Sequence, residues 1–398
     1  MGSAKNIGLV VAIVLIVSSI VYFESLRPMR FTNSGSSEIP VPAIREEAPE
    51  RESSTVNIPS GTEPKAVLAQ TPQPKPTPIV KKSFSRAKEI TTPDGFINTD
   101  GKPVTISEFV RKKVVLIDFW TYSCINCQRT TPYLNSWYEK YGSTSLTTSS
   151  PGLVIIGIHT PEFEFEKIYQ NVLDATKRLG IKYPVVLDND YSTWSAYQNR
   201  FWPRKYLIDI DGYVIYDHIG EGGYEETEQK IQEALDERAK VLGEKEMMPT
   251  GTVRPSGTES VDASKLRSPE IYFGASRNTY LGVGATGVVG VQTLAAPVSP
   301  NANTLYFGGK WDIREEFAEN LEAGAKIIFR YQAQRVNLVA SADQATQITI
   351  IKDGVELKKL TVEDAQLYRV IDDASWGEHT LEIRIEGPGL KAYTLTFG

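Results

Sequence analysis

The sequence contains few of the residues that build metal centres and disulfide scaffolds. Its 398 residues include only two cysteines and three histidines. Two cysteines exclude a scaffold of several disulfides and any iron–sulfur or zinc site that needs more than two cysteines. His159, His218 and His379 are far apart in sequence, so a histidine metal centre is not expected. We therefore predict neither a metal nor a cofactor.

The sequence also lacks a strong excess of positive charge. It has 43 lysines and arginines against 49 aspartates and glutamates, which gives a formal net charge of −6. It contains no block of consecutive lysines and arginines that could neutralise phosphates. Because nucleic-acid binding depends on such a basic patch, we expect no nucleic-acid partner.

One long apolar run is present, at residues 7–23 (IGLVVAIVLIVSSIVYF), and it contains no charged residue. As a helix it would span about 25 Å, slightly less than the hydrocarbon core of a bilayer. A cleaved signal peptide is the alternative interpretation. We favour an uncleaved transmembrane helix because the run is long for a signal peptide and no A-x-A-like site follows it. Both interpretations export the remaining chain, either tethered to the cell membrane with periplasmic or cell-surface domains, or secreted after cleavage.

Residues 28–84 are rich in proline, serine, threonine and glutamate and poor in large apolar residues. Such a composition cannot bury enough apolar surface to offset the conformational entropy of the chain. We expect a disordered linker that tethers the folded domains to the membrane.

From residue 85 to 243 short apolar runs alternate with amphipathic stretches, which is typical of an α/β domain. The run VVLIDF at residues 114–119 predicts a buried central strand. Asp100-Gly101 and Asp211-Gly212 each predict a hairpin turn. The order of strands and helices therefore predicts a sheet with helices on both faces.

The two cysteines, Cys124 and Cys127, form a C-x-x-C pair between the predicted central strand and a predicted helix. Cysteines three residues apart on one helical turn can close a small disulfide ring. The helix N-terminus favours a thiolate at Cys124, which makes it the expected attacking sulfur. Cys127, further into the helix, would resolve a mixed disulfide. A permanent structural disulfide and a pair of inert thiols are the alternatives.

The segment DFWTYSCINC at residues 118–127 resembles the D-F-W-x-x-x-C-x-x-C signature of the thioredoxin-like family. The longer stretches WTYSCINCQRTTPYLNSWYEKY, GIHTPEFEFEK and WPRKYLIDIDG are similar to its extracytoplasmic TlpA-like branch, and within it to DipZ-type proteins. This resemblance implies a thioredoxin-like fold and thiol–disulfide exchange. The intervening residues Ile125 and Asn126 differ from the Gly-Pro of thioredoxin, so its redox potential is not carried over.

The resemblance also implies roles for individual residues. Asp118 matches the buried aspartate that deprotonates the resolving cysteine, and Trp120 packs beneath the disulfide. Trp202 and Pro203 match the loop whose cis-proline exposes backbone for pairing with a substrate. Glu162 and Glu164 are possible accessory residues, since the branch often has a glutamate near its disulfide.

After a polar linker at residues 244–265, residues 266–398 read as repeated short strands with turn signals, which predicts an all-β sandwich. SPEIYFG at 268–274 and YTLTFG at 393–398 resemble the C-terminal module of DipZ-type proteins, which looks like a carbohydrate-binding module. Four aromatic residues in this region are candidates for stacking on a sugar: Tyr272, Tyr280, Trp311 and Trp376. A docking surface for an envelope protein is the alternative.

Our leading hypothesis is a membrane-tethered thiol–disulfide oxidoreductase whose partners are protein thiols and disulfides. Because the sequence contains only one apolar run of membrane-spanning length, which is too few for a multi-pass transporter, we expect a separate membrane electron donor such as a CcdA-like transporter. A surface-binding or adhesion protein with a structural disulfide is one alternative. A thiol peroxidase is the other, since Thr121 and Cys124 match half of the P-x-x-x-T-x-x-C pattern of peroxiredoxins, but Ile117 occupies the proline position.

Overall fold

The structure is a computed structural model that describes residues 84–142, 152–244, 251–262 and 264–398. The predicted membrane segment at residues 7–23 and nearly all of the predicted linker at residues 28–84 lie outside the described residues. Within the described ranges, none of the helices is both long and apolar enough to cross a membrane.

The first folded domain is built on a six-stranded mixed sheet. Its strands are β1 (Gly95–Ile97), β2 (Val114–Trp120), β3 (Leu153–His159), β4 (Val185–Leu187), β5 (Arg204–Ile208) and β6 (Val214–Ile219). The order across the sheet is β1-β4-β3-β2-β5-β6. Strands β2, β3 and β4 are parallel, whereas β1, β5 and β6 each pair antiparallel with a neighbour. The crossover from β2 to β3 and the crossover from β3 to β4 each contain a helix.

Four helices accompany this sheet: α1 (Ile125–Tyr141), α2 (Tyr169–Arg178), α3 (Ser192–Ala196) and α4 (Tyr224–Leu242). Alternate residues of β2 enter two different apolar clusters. Leu116 and Trp120 pack in the cluster that contains Cys127, whereas Ile117 and Phe119 pack in the cluster on the other face. All seven residues of β2 are buried, which explains why its sequence is apolar except for Asp118.

The two predicted hairpin turns differ in outcome. Asp211-Gly212 connects the antiparallel strands β5 and β6, which confirms the prediction there. Asp100 and Gly101 do form a turn with positive φ angles of 53° and 75°, but the prediction of a hairpin is wrong. Strand β1 pairs with β4, which lies about ninety residues further along the chain, so its hydrogen bonds are satisfied without a returning strand.

The second domain is β-rich and contains nine strands within the described residues. They are β7 (Ile271–Tyr272), β8 (Gly290–Leu294), β9 (Leu305–Ile313), β10 (Ala318–Asn320), β11 (Lys326–Ala342), β12 (Thr346–Lys352), β13 (Val355–Val362), β14 (Gln366–Ile385) and β15 (Leu390–Phe397). The first half of β11 pairs with β9, and its second half pairs with β15. Strand β10 connects β15 back to β9, so these four strands close on themselves around an apolar interior.

One of the apolar clusters contains residues of both domains. Tyr393 of β15 and Val339 of β11 belong to the same cluster of buried residues as Trp137 of α1. The Tyr393 ring is 5% exposed, and its centroid lies 5.1 Å from that of Phe163 and 4.7 Å from that of Phe165. Because apolar burial is the main stabilising term in folding, this junction fixes the β-rich domain against the loop that follows β3.

Replacing Tyr393 by alanine should therefore destabilise both domains together. Removing a buried aromatic ring costs about 3–5 kcal/mol of unfolding free energy, and we expect a loss of that size in urea denaturation. Leu357→Ala is the matched control, because Leu357 is 47% exposed on β13 and its loss should cost under about 0.5 kcal/mol. An unchanged midpoint for Tyr393→Ala would contradict a shared core.

Candidate active site

The cysteine pair lies where β2 passes into α1. Cys124 is the N-cap residue of α1 and is half-buried, and its carbonyl accepts the first helical hydrogen bond, from the Gln128 N–H at 3.0 Å. Cys127 lies one turn further along the helix and is 2% exposed. Both are thiols in the structure. The arrangement presents Cys124 to a reactant and keeps Cys127 behind it.

The loop between β2 and Cys124 is anchored by a buried carboxylate. Glu166 accepts hydrogen bonds from the Ser123 N–H at 3.2 Å and the Ser123 hydroxyl at 2.7 Å. Its second oxygen accepts from the N–H groups of Glu162 and Phe163 at 2.6 and 3.1 Å. Burial raises the pKa of Glu166, and the hydrogen bonds from Ser123 oppose that rise. Glu166 therefore connects the cysteine loop to the loop after β3.

The sequence analysis named Glu162 and Glu164 of this loop as possible accessory residues. In the structure both side chains bind residues other than the cysteines. Glu162 accepts from the Tyr272 hydroxyl at 2.8 Å and pairs with Arg277 at 2.7 Å, so it belongs to the junction with the β-rich domain. The Glu164 side chain is 70% exposed and pairs with Lys167. Glu166 is instead the glutamate whose side chain reaches the cysteine loop, through Ser123.

Asp118 lies on the face of β2 that packs against α1, between Leu116 and Trp120, and is 2% exposed. Burial raises the pKa of Asp118 to about 7, and the nearby Lys205 opposes the rise. The pKa of Cys127 is raised well above its ordinary value, by burial first and then by Cys124 and Asp118. Asp118 changes charge near neutral pH, and the neighbouring Cys127 thiol does not ionise readily. The Asp118 carboxylate is therefore suited to accept the proton of Cys127.

The sequence analysis did not identify Lys205, although this lysine is the strand partner of Asp118. It lies directly opposite Asp118 in the antiparallel pairing of β2 and β5, so both side chains occupy the same face. Lys205 is fully buried, and its ammonium donates to the Gly220 carbonyl at 3.1 Å. Burial lowers the pKa of Lys205, while Asp118 and Cys127 raise it.

Of the remaining predicted site residues, Trp120 and Trp202 pack in or against the apolar cluster that contains Cys127. The Trp202–Pro203 peptide bond is cis, as the resemblance implies. The Trp202 indole donates to the Thr160 carbonyl at 3.0 Å and packs on Trp194 with ring centroids 4.4 Å apart. Trp120 is 1% exposed and belongs to the cluster that contains Cys127. Two tryptophan side chains therefore belong to the apolar surroundings of the cysteine pair.

His159 packs in the same region without a charge. Its ring is fully buried, stacks on Tyr122 with centroids 5.7 Å apart, and meets the edge of Trp120 at 5.1 Å. Burial lowers the pKa of His159 to about 3. Within the described residues, no group of three or more histidine, cysteine, aspartate or glutamate residues is placed to hold a metal ion.

Comparison with known families matches both domains. Residues 82–235 match the family described as Redoxin, and residues 268–398 match the family described as Thioredoxin like C-terminal domain. With the cysteine pair at the start of α1, these matches define the class: the chain belongs to the thioredoxin-like thiol–disulfide oxidoreductases.

Three relatives illustrate the extent of this similarity. Protein DipZ of Mycobacterium bovis is 35% identical over 314 residues, which cover 77% of this chain and 43% of DipZ. The thiol-disulfide oxidoreductase ResA of Bacillus cereus is 30% identical over 139 residues, which cover 34% of this chain and 73% of ResA. YkuV of Bacillus subtilis, also a thiol-disulfide oxidoreductase, is 24% identical over 149 residues, covering 37% of this chain and 93% of YkuV. The chain thus spans less than half the length of DipZ.

The buried carboxyl of Asp118 should make stability depend on pH. The pKa of Asp118 is raised from 3.8 to about 7 in the folded state, so the protonated form stabilises the fold fully below pH 3.8, and this contribution is lost as pH rises through 7. Asp118→Asn, which is neutral at every pH, should gain up to about 4 kcal/mol of unfolding free energy at pH 8 and little at pH 4. Urea denaturation at both pH values measures the difference. A gain that does not change with pH would contradict the burial argument.

Lys205 should hold the pKa of Asp118 below the value that burial alone would give. Lys205→Met removes the opposing positive charge and should raise the pKa of Asp118 by about 1 or more. Carbon-13 NMR of the Asp118 carboxyl during a pH titration measures it. Lys182→Met is the control, because Lys182 is 72% exposed and pairs only with Glu139 among the described residues. An unchanged or lower pKa of Asp118 in Lys205→Met would refute the conclusion that Lys205 lowers the pKa of this carboxyl.

Proposed function

We propose that the protein exchanges disulfides with partner proteins through Cys124 and Cys127, as a membrane-tethered oxidoreductase outside the cytoplasm. The observation that carries the proposal is the position of the pair. Cys124 caps the helix and is half-buried, while Cys127 is buried directly behind it beside Asp118. An attacking sulfur must be reachable, and a resolving sulfur must be close and protected.

The exchange proceeds in two balanced steps. The Cys124 thiolate attacks one sulfur of a partner disulfide, which forms a mixed disulfide and releases the partner's other sulfur as a thiolate. Cys127 then transfers its proton to Asp118 and attacks the Cys124 sulfur, which releases the second partner thiolate. The partner gains two electrons and the protein is left with a Cys124–Cys127 disulfide. In the opposite direction the same steps oxidise a partner dithiol.

The membrane tether is proposed from the uncharged run at residues 7–23. A helix there would anchor the chain, and the polar stretch at residues 28–84 would separate the folded domains from the bilayer. Resistance of the full chain to alkaline carbonate extraction from membranes would support the tether. Release into the soluble fraction with a shortened N-terminus would instead support a cleaved signal peptide.

Catalytic turnover needs a source of electrons, which we propose to be a membrane protein of the CcdA-like transporter class.

For the β-rich domain, the sequence suggests a sandwich that binds a glycan or an envelope protein. Two of its four candidate aromatic residues have other roles. Trp311 is fully buried on Phe307, and the Tyr272 hydroxyl donates to Glu162 at the junction of the domains. This favours a protein-facing role over stacking on a sugar.

The trapping of mixed disulfides tests the order of attack. Cys127→Ser should accumulate mixed disulfides with partner proteins that contain a disulfide. The attack by Cys124 still occurs in this variant, whereas the resolving attack by Cys127 cannot. Cys124→Ser should accumulate none, since Cys127 is 2% exposed. Non-reducing electrophoresis followed by mass spectrometry of the complexes measures both.

The double variant Cys124→Ser/Cys127→Ser is the control for complexes that do not involve this pair. Absence of complexes for every variant, together with no reduction of insulin by the parent chain, would refute disulfide exchange. Peroxide consumption that survives in Cys127→Ser would favour the thiol peroxidase. A Cys124–Cys127 disulfide that resists mild dithiothreitol would favour the structural role.

A further inference from the structure

The segment at residues 251–262, here called the strap, lies along α1 towards the cysteines. Near the C-terminal end of α1, the Gly251 carbonyl accepts from Lys140 and from Gln232 at 2.5 and 2.8 Å. The Val253 N–H then donates to Glu228 of α4 at 2.7 Å. Further along, Thr258 and its neighbours lie near the first turns of α1. The strap therefore reaches the first turns of α1, and α1 begins directly after Cys124.

A groove of about 200 Å³ opens between the strap and the start of α1. Its apolar side is formed by Ile125, Pro132 and Leu179, and its opposite side by residues 257–259 of the strap and by Arg369 of β14. Ile125 directly follows Cys124 in the chain, so the groove begins one residue away from the expected attacking cysteine. It shares no lining residue with the Trp202–Pro203 loop.

The charged residues of the groove neutralise each other. Arg369 makes two hydrogen bonds to the Glu259 carboxylate, at 2.6 and 2.9 Å. Arg129 makes two to the Glu221 carboxylate, at 2.7 and 2.8 Å. An occupant therefore meets an apolar floor between satisfied ion pairs. The volume of about 200 Å³ is below the range of about 300–1,000 Å³ that is typical of small-molecule pockets, so the groove is too small to enclose a drug-sized ligand.

The strap also has free backbone along this groove. No backbone hydrogen bond joins residues 257–260 to any other residue that the structure describes. Gly257 and Ser260 are exposed, and Thr258 is half-buried. Extended peptides commonly bind by pairing their backbone with such an unpaired segment, while flanking pockets select their side chains.

We propose that this groove holds an extended, uncharged segment of the partner protein next to its reacting cysteine, with the partner's backbone paired to residues 257–259. The inference rests on the proposed disulfide exchange and specifies its substrates. The β-rich domain takes part because Arg369 fixes Glu259 of the strap. Protein disulfides with an extended flanking segment are then preferred over small disulfides that cannot reach the groove.

The test fills the groove and compares two substrates. Reduced protein is mixed in single turnover with insulin, a protein disulfide, or with hydroxyethyl disulfide, which has no flanking peptide. For Thr258→Trp, the ratio of the insulin rate constant to the hydroxyethyl disulfide rate constant should fall about tenfold. Leu179→Trp, which fills the groove from the other side, should lower the same ratio, so the result does not depend on one variant folding.

Ser256→Trp is the matched control, because Ser256 is exposed on the same strap and does not line the groove. Both of its rate constants should equal those of the parent. An unchanged ratio for the two groove-filling variants, or an equal loss with both substrates, would overturn the groove while leaving disulfide exchange intact. A parent chain that reacts with neither disulfide would instead overturn the proposed function, and the groove with it.

Discussion

The constraint on which the site depends is the burial of a short loop at the end of a central strand. Residues 121–123 leave β2 inside the protein and must reach the start of α1 with their polar groups satisfied. Glu166 satisfies Ser123, and the Tyr122 hydroxyl donates to the Ala365 carbonyl of the β-rich domain at 3.1 Å. Because each of these partners comes from a different part of the chain, the position of Cys124 is set by both domains rather than by α1 alone.

Local sequence was sufficient to find the parts of this site that are contiguous or carry a strong pattern. The buried strand β2, the cysteine pair at a helix start and the turn at Asp211-Gly212 all follow from short-range signals. Glu166 could not be chosen from three nearby glutamates, since the choice depends on the single 3₁₀ turn at Glu164–Lys167 that aims it inward. Lys205 was missed because its proximity to Asp118 arises from the pairing of strands nearly ninety residues apart.

In the β-rich domain the sequence predicted the strands with clear alternation and missed others. The apolar patterns at 326–340, 347–351, 355–360 and 392–397 predict four strands, close to the observed bounds of β11, β12, β13 and β15. Strand β8 was missed because its stretch is uncharged and shows little alternation, and β9 because two adjacent glycines and two charged residues interrupt its apolar pattern. The first half of β14 was missed because polar residues interrupt it. The strap reads as a polar linker in sequence, since the groups that hold it belong to α1 and α4 and are remote in the chain.

The burial of His159 has a consequence for how the reaction responds to acidity. An imidazole beside a catalytic thiol usually makes the rate sensitive to pH between 5 and 8. Here the ring stays neutral over that whole interval because its pKa is held near 3. In the proposed exchange, the proton of Cys127 is then accepted by the carboxylate of Asp118, whose pKa is raised to about 7, rather than by an imidazole as in many cysteine enzymes.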